Sequence, residues 1–232
     1  MPNTATTLAG FEQHSDWIQA SNTGDTGGGS AKPNGTFMMK PATLEIPATA
    51  AVPAAPAMFS AEGKYPYNNG YWYIVIPGAW NAMTYFCYEV QFMLPTMADL
   101  DACRAVEFEL QQNVGGHIYK MAWQAYIKGT GVWRTFDYNT SQWVPTVIPV
   151  SITAGEWTAM EAVYLRGEDC NLTHVSLSVN GTRHPVNITK AATAKVQGDY
   201  VHCAFQLDSG STPVPYVCHV QGVNVMMMPT GC

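Results

Sequence analysis

Short apolar runs broken by polar residues fill the chain from Tyr71 onward, and this alternation constrains the fold more than any other feature. A period of two places successive side chains on opposite faces, as in a half-buried β-strand. The sequence predicts ten strands on this basis, near residues 71–76, 84–94, 104–112, 117–127, 132–138, 157–165, 173–179, 183–188, 200–208 and 216–227. Asn180-Gly181 is a strong β-hairpin signal, and residues 97–102 are the single predicted helical turn.

The abundance of glycine and proline argues against long helices. The chain has 20 Gly and 15 Pro in 232 residues, and in a helix interior Gly costs about 1 and Pro about 3 kcal/mol relative to Ala. An all-β sandwich of this length forms one domain. We expect that domain at residues 11–228, after a disordered or expression-derived N-terminus at 1–10 and before a tail at 229–232. Within it, residues up to 60 are the least regular.

The charge balance excludes several kinds of partner. The chain has 11 Lys and Arg against 17 Asp and Glu, a formal net charge of -6, and no basic run. Nucleic-acid binding requires cations to neutralise phosphates, so it is not expected. No apolar stretch approaches the roughly 20 residues of a membrane span. The N-terminus lacks the pattern of a secretory signal, so the protein is intracellular or a signal has been removed.

Six cysteines leave two interpretations open. They lack the CxxC spacing of zinc sites. An even number with few charges fits one to three disulfides in an oxidising compartment, and it also fits buried free thiols. We favour an extracellular or periplasmic location and expect Cys203 to be buried. Asp25, in a glycine-rich loop, is a weak candidate ligand for a structural calcium ion.

Polar side chains are predicted to converge on one face of a sheet. In residues 105–112, Val106, Phe108 and Leu110 share the face that must enter the core, so Glu107 and Glu109 point the other way. The same reasoning on neighbouring strands predicts a carbohydrate-binding surface, because acids and amides bind hydroxyls and aromatic rings stack on pyranose faces. Its candidate residues are Glu107, Glu109, Gln111, Gln124, Tyr126, Trp133, Asp137, His202, Gln206 and Asp208.

An ordinary solvated sheet face is the alternative explanation, since antiparallel sheets alternate polar and apolar residues anyway. Glu107 and Glu109 argue against it, because like charges on one strand face repel. Their spacing is roughly 7 Å at ~3.4 Å per residue. This value is longer than the ~5–5.5 Å of retaining glycosidases and lies near the lower end of the ~6.5–9.5 Å of inverting ones. As a backbone spacing, it permits a catalytic pair without selecting a mechanism.

The order of sequence features resembles a group of secreted bacterial concanavalin A-like jelly-roll proteins. The resemblance covers Phe11 to Met227. It is carried by Phe11-Glu12 to Trp17 with the glycine-rich loop, Val106-Glu107-Phe108-Glu109, Trp133 to Asp137, Gln142 to Thr146, Val175 to Gly181 with His184-Pro185, and Ala204 to Asp208. It implies a two-sheet antiparallel jelly roll. The wider superfamily includes legume-type lectins, laminin G-like modules, family 16-type endoglucanases and alginate-lyase-type enzymes.

The resemblance also implies roles for individual residues. In the Glu-x-Asp-x-(x)-Glu motif of the endoglucanases, Glu107 matches the nucleophile and Glu109 the middle acid, but Gln111 stands at the general acid and cannot donate a titratable proton. The lyases use a Tyr and His pair near a neutralising Arg or Gln, and Tyr126, His202 and Gln124 are the residues that would take those roles.

Three function classes follow. The first is an extracellular lectin-like protein that binds a poly- or oligosaccharide. The second is a glycan-cleaving enzyme, a glycoside hydrolase or polysaccharide lyase, with Glu107 and Glu109 as central acids. The third is a structural or assembly protein, favoured by the low charge and the many methionines, including Met226 to Met228.

Overall fold

Two antiparallel sheets make up the described part of the chain in this computed structural model. The described residues are 6–9, 17–20, 38–41, 56–61, 69–77, 80–195, 198–212 and 214–229. The order of the strands and the packing of the sheets define a single-domain jelly-roll sandwich of the concanavalin A-like type, as predicted.

Sheet A has eight strands. They are β1 (Thr6–Leu8), β3 (Met38–Pro41), β4 (Ala57–Ala61), β6 (Tyr85–Met93), β11 (Thr158–Arg166), β12 (Asn171–Val179), β13 (Thr182–Ala191) and β16 (Tyr216–Met228). Seven lie side by side in the order β13-β12-β11-β6-β16-β4-β3, and β1 pairs with β16.

Sheet B also has eight strands. They are β2 (Ile18–Ala20), β5 (Asn69–Pro77), β7 (Cys103–Val114), β8 (His117–Tyr126), β9 (Val132–Asp137), β10 (Gln142–Pro149), β14 (Thr193–Ala194) and β15 (Tyr200–Ser209). Their order is β10-β9-β8-β7-β15-β5-β2, with the short β14 paired to β8.

The ten predicted strands are all present, and so is the helical turn, α1 (Met97–Ala102). Thr96 caps α1 by accepting a hydrogen bond from the Asp99 amide. Among the described residues, α1 is the only helix, and it is far too short to cross a membrane. The hairpin prediction is confirmed, because Asn180 and Gly181 join β12 to β13 with φ of 49° and 79°.

Six strands were not predicted. β1, β2, β3 and most of β4 lie within residues 1–60, and β1 lies before the predicted start of the domain. These strands are three to five residues long, too short for alternation to stand out. β14 has only two residues. In β10, two prolines interrupt the pattern, which is tolerated because β10 is an edge strand.

Aromatic rings fill the space between the sheets. Phe59 of sheet A packs against Trp72 and Phe205 of sheet B, with ring centroids 5.0 and 4.6 Å apart. Phe92 and Phe108 meet at 5.0 Å. The five predicted core residues are all buried: Val106, Phe108, Leu110, Phe205 and Leu207. This core fixes which face of each strand points outward.

The cysteines favour the second of the two interpretations. The five described ones, at positions 87, 103, 170, 203 and 218, are free thiols. Cys203 is fully buried, as predicted. Cys232 lies outside the described residues, so the described part of the chain contains no disulfide.

Candidate functional site

The outward face of sheet B brings most of the predicted site residues together. Glu107 on β7 lies opposite Gln124 on β8 and Gln206 on β15. Gln111, further along β7, lies opposite His202 on β15. Side chains two residues apart share a face, so this surface, here called the polar face, carries eight of the ten candidates: Glu107, Glu109, Gln111, Gln124, Tyr126, His202, Gln206 and Asp208.

The centre of the polar face is buried. Glu109 is 1% exposed, Glu107 6%, Gln124 2% and Gln206 7%. Glutamate is almost never buried to this extent without a partner, because removing a charge from water is costly. These side chains therefore differ from an ordinary solvated sheet face, where polar groups keep their contact with water.

Lys120 on β8 balances part of this negative charge. Its Nζ lies 2.8 Å from Oε2 of Glu109. Burial opposes the charged form of Lys120, but the carboxylates of Glu109 and Glu107 outweigh burial and raise the pKa of Lys120. The ammonium also lies 5.2 Å from the ring centroid of Phe136 and 5.3 Å from that of Tyr138. Sequence analysis missed Lys120, although alternation along β8 places it on this face.

Tyr71 and His202 form a hydrogen-bonded pair beside the two acids. The Tyr71 hydroxyl lies 2.9 Å from Nε2 of His202. Burial, followed by the charges of Glu109 and Glu107, raises the pKa of Tyr71. Burial lowers the pKa of His202, and Glu109 only partly opposes this. The pair is therefore uncharged at neutral pH. Tyr71 was not predicted, because nothing in the sequence reveals that β5 pairs with β15.

A chain of hydrogen bonds organises the other end of the face. Arg134 Nε donates to Gln124 Oε1 at 3.0 Å, and Arg134 Nη2 donates to the same oxygen. The Gln124 amide donates to Asp208 Oδ2 at 3.0 Å, and the Gln206 amide donates to Asp208 Oδ1 at 2.8 Å. The guanidinium of Arg134 lies 3.6 Å from the ring centroid of Tyr126, a cation–π contact. These bonds fix the amide orientations.

The predicted positions of Trp133 and Asp137 are wrong. The register of β8 and β9 pairs Gln124 with Arg134, so Arg134 shares the polar face and Trp133 points the opposite way. Trp133 is fully buried in the core between the sheets. Asp137 lies on the same side of β9 as Trp133, where its charge acts on Lys190. The reason is that burying the large Trp133 ring stabilises the fold more than exposing it.

Aromatic residues flank the polar face on two sides. Trp143 on β10 pairs with Phe136 on β9, and their ring centroids are 5.1 Å apart. On the opposite side, the rings of Tyr71 and Tyr73 lie 5.8 Å apart, and Tyr73 lies 5.1 Å from the His202 ring. Rings of this kind bind the apolar face of a pyranose. The segment around Trp143 was noted in the sequence, but Trp143 was not chosen as a site residue.

The chemistry available at Gln111 is limited to hydrogen bonding. Its Nε2 donates to Asn113 Oδ1 at 2.8 Å, and an amide carries no titratable proton. Gln111 is also buried, with 8% of its surface exposed, so the surrounding side chains restrict its movement. Glu107 and Glu109 remain as the central acids, and Glu109 is already paired with Lys120. The arrangement is well suited to orienting hydroxyl groups.

A second cluster of ligand-type atoms lies on sheet A. Among the described residues, Cys87, Glu89 and Glu161 hold sulfur and carboxylate oxygens within 4.8 Å of one another. Burial, then the charges of Glu161 and Glu89, raise the pKa of the Cys87 thiol to about 12, so without a bound metal ion the thiol is protonated at neutral pH. Asp25, the candidate calcium ligand, lies outside the described residues.

The comparisons with known proteins concern the fold. No protein-family model and no curated protein matches the sequence. Solved structures do match. Lectin II from Ulex europaeus superposes with a TM-score of 0.55 at 12% identity, covering 96% of this chain and 98% of the lectin.

Two enzymes are also similar in structure. A carbohydrate esterase from the Shiga toxin-encoding bacteriophage phi24B superposes with a TM-score of 0.54 at 11% identity over 97% of this chain and 99% of the esterase. Alginate lyase Aly36B superposes with a TM-score of 0.50 at 12% identity over 75% and 81% of the two chains. At such low identities the likeness establishes a shared lectin-like jelly-roll fold.

Proposed function

We propose that this protein binds a carbohydrate through the polar face of sheet B. The observation that carries the proposal is the burial of Glu107 and Glu109 on the outward side of a sheet, at 6% and 1% exposure. Buried carboxylates are costly, and here they are kept in a position where they add nothing to the apolar core. A role in binding explains that cost.

The surroundings of these acids match the chemistry of a sugar. The carboxylate of Glu107 and the amide of Gln206, which lie opposite each other, offer directional acceptors and donors for hydroxyl groups. Aromatic rings at Trp143 and Tyr73 lie on opposite sides of this centre, where they can stack on pyranose rings. The fold is shared with a lectin, an esterase of carbohydrates and an alginate lyase.

Binding is favoured over cleavage because of the residue at position 111. Where the endoglucanase pattern places its general acid, this chain has Gln111, which is hydrogen-bonded to Asn113. Glycoside hydrolysis uses an acid that protonates the leaving oxygen, and an amide does not supply it. A glycan-cleaving enzyme using Glu107 and Glu109 is the alternative. A structural or assembly role is the second alternative.

We also propose an extracellular or periplasmic location, based on the low fraction of charged residues and the resemblance to secreted proteins. Within the described residues no helix could cross a membrane. No cofactor is needed for the proposed binding.

A glycan array followed by calorimetric titration of the best ligand tests the proposal. Glu107→Gln should weaken binding by about 1–3 kcal/mol, the value of a charge-assisted hydrogen bond. Glu161→Gln on sheet A is the matched control and should leave affinity unchanged. A reducing-end assay on the same ligands separates the alternatives, since turnover that depends on Glu107 would establish an enzyme. No glycan binding and no turnover would overturn the proposal.

A further inference from the structure

We infer, on the basis of the proposed function, that the site binds an uncharged glycan segment and rejects uronic acid polymers. The inference names the class of ligand for the polar face. It separates this protein from alginate lyase Aly36B, which has the same fold and acts on a polymer that carries a carboxylate on every sugar ring.

The negative groups of the face lie at its centre and toward the end that carries Arg134. Glu107 and Glu109 lie on one strand face, and Asp208 follows on the neighbouring strand beside Gln206. A uronate carboxylate placed among them would meet like charges in a site that is largely removed from water. Such juxtaposition is strongly unfavourable and is a common means of rejecting a ligand.

The cations of the face are already engaged with protein groups. Lys120 is ion-paired to Glu109 at 2.8 Å. Arg134 donates two hydrogen bonds to Gln124 and lies over the Tyr126 ring. A uronate would therefore compete with the protein's own carboxylates for these cations, with Glu109 for Lys120 and with Asp208 and Glu107 for Arg134.

Arg104 lies at the rim of the face, where its Nη2 donates a hydrogen bond to the Tyr126 hydroxyl at 2.9 Å. The pair formed by Tyr71 and His202 is uncharged, with the two polar atoms 2.9 Å apart. Tyr71 and His202 therefore offer no positive charge to an acidic sugar. Each can donate a hydrogen bond to a hydroxyl group or accept one from it.

The test uses sugars that differ only in charge. Oligosaccharides of mannose, glucose and galactose are each paired with the uronic acid oligomer of the same linkage and length, and both are titrated calorimetrically. For the pair that contains the best ligand, we expect the neutral oligomer to bind at least about tenfold more tightly, as expected for a like charge placed against a buried carboxylate. Added salt should change the difference little, because charges in a site largely removed from water are weakly screened.

Two variants locate the effect. Glu107→Gln keeps the shape of the side chain and removes one negative charge, so the preference for the neutral oligomer should shrink. Glu161→Gln removes the same charge from sheet A and should leave the preference unchanged.

Equal or tighter binding of the uronate by the unaltered protein would overturn the inference while leaving the proposed function intact. Absence of binding to every pair would contradict the proposed function itself, and the inference would fall with it.

Discussion

Replacing Lys120 by methionine should destabilise the fold strongly, because it leaves the Glu109 carboxylate buried without a partner. The pair is 2.8 Å long, and the side chains of Lys120 and Glu109 are only 17% and 2% exposed. Removing one member of a buried ion pair typically costs 3–5 kcal/mol. Since Lys120 retains some contact with water, we expect about 3 kcal/mol, the lower end of that range.

The chain contains a matched control for this experiment. Lys128 and Asp101 form an ion pair of nearly the same length, 2.9 Å, but their side chains are 43% and 67% exposed. Exposed pairs contribute about 0–1 kcal/mol, so Lys128→Met should change stability by less than about 1 kcal/mol. The two variants share the same substitution and differ mainly in the burial of the partner.

Urea denaturation followed by circular dichroism gives the free energy of unfolding of each variant. The loss of stability in Lys120→Met should shrink when Glu109→Gln is added, because the second substitution removes the orphaned charge. Equal losses in Lys120→Met and Lys128→Met would refute the reasoning from burial.

Three further predictions concern other parts of the molecule. Burial, with the charge of Lys190, lowers the pKa of His174 well below its ordinary value. Below about pH 6.5 the unfolded state therefore binds a proton at this histidine that the native state does not bind. As the pH decreases from 6.5, the free energy of unfolding should fall by up to about 1.4 kcal/mol per pH unit. In urea denaturation at a series of pH values, His174→Gln should make the free energy of unfolding depend less steeply on pH. An unchanged slope would contradict this prediction. Trp133→Ala should cost about 3–5 kcal/mol of stability in urea denaturation. Trp143→Ala should leave stability unchanged and weaken sugar binding in calorimetric titration. The reverse pattern would exclude Trp143 from the site. A thiol reagent should react slowly with the native protein, where Cys203 is buried. After denaturation without reductant it should count at least five thiols. A lower count would reveal a disulfide.

The long strands were predictable because each has one face in the core. Val106, Phe108 and Leu110 alternate with polar residues without interruption, so the face of Glu107 and Glu109 followed directly. Sequence alternation failed on β9, where both faces carry one aromatic residue, Trp133 on one and Phe136 on the other. In that case only packing against the opposite sheet decides which ring is buried.

Contacts between residues on strands far apart in sequence could not be predicted, for a different reason. Tyr71 meets His202 across 131 positions of sequence, and that contact depends on the order of strands in sheet B. Strand order is set by the packing of the whole sandwich and by connections between the sheets, and local periodicity carries no information about it. The position of Lys120 could have been predicted, because it lies four residues before Gln124 on β8 and alternation puts both side chains on the same face.

The position of β16 has a consequence for how the chain acquires its structure. β16 follows every other strand of sheet A in sequence, yet it lies between β6 and β4 and also pairs with β1. Until it is synthesised, β6 and β4 have no neighbour on that side and their backbone groups are unpaired. We therefore expect slow folding that completes only after Tyr216 to Met228 has emerged from the ribosome, because long-range strand pairing must precede closure. Nascent chains that stop short of this strand expose open sheet edges, which makes them prone to association and dependent on chaperones.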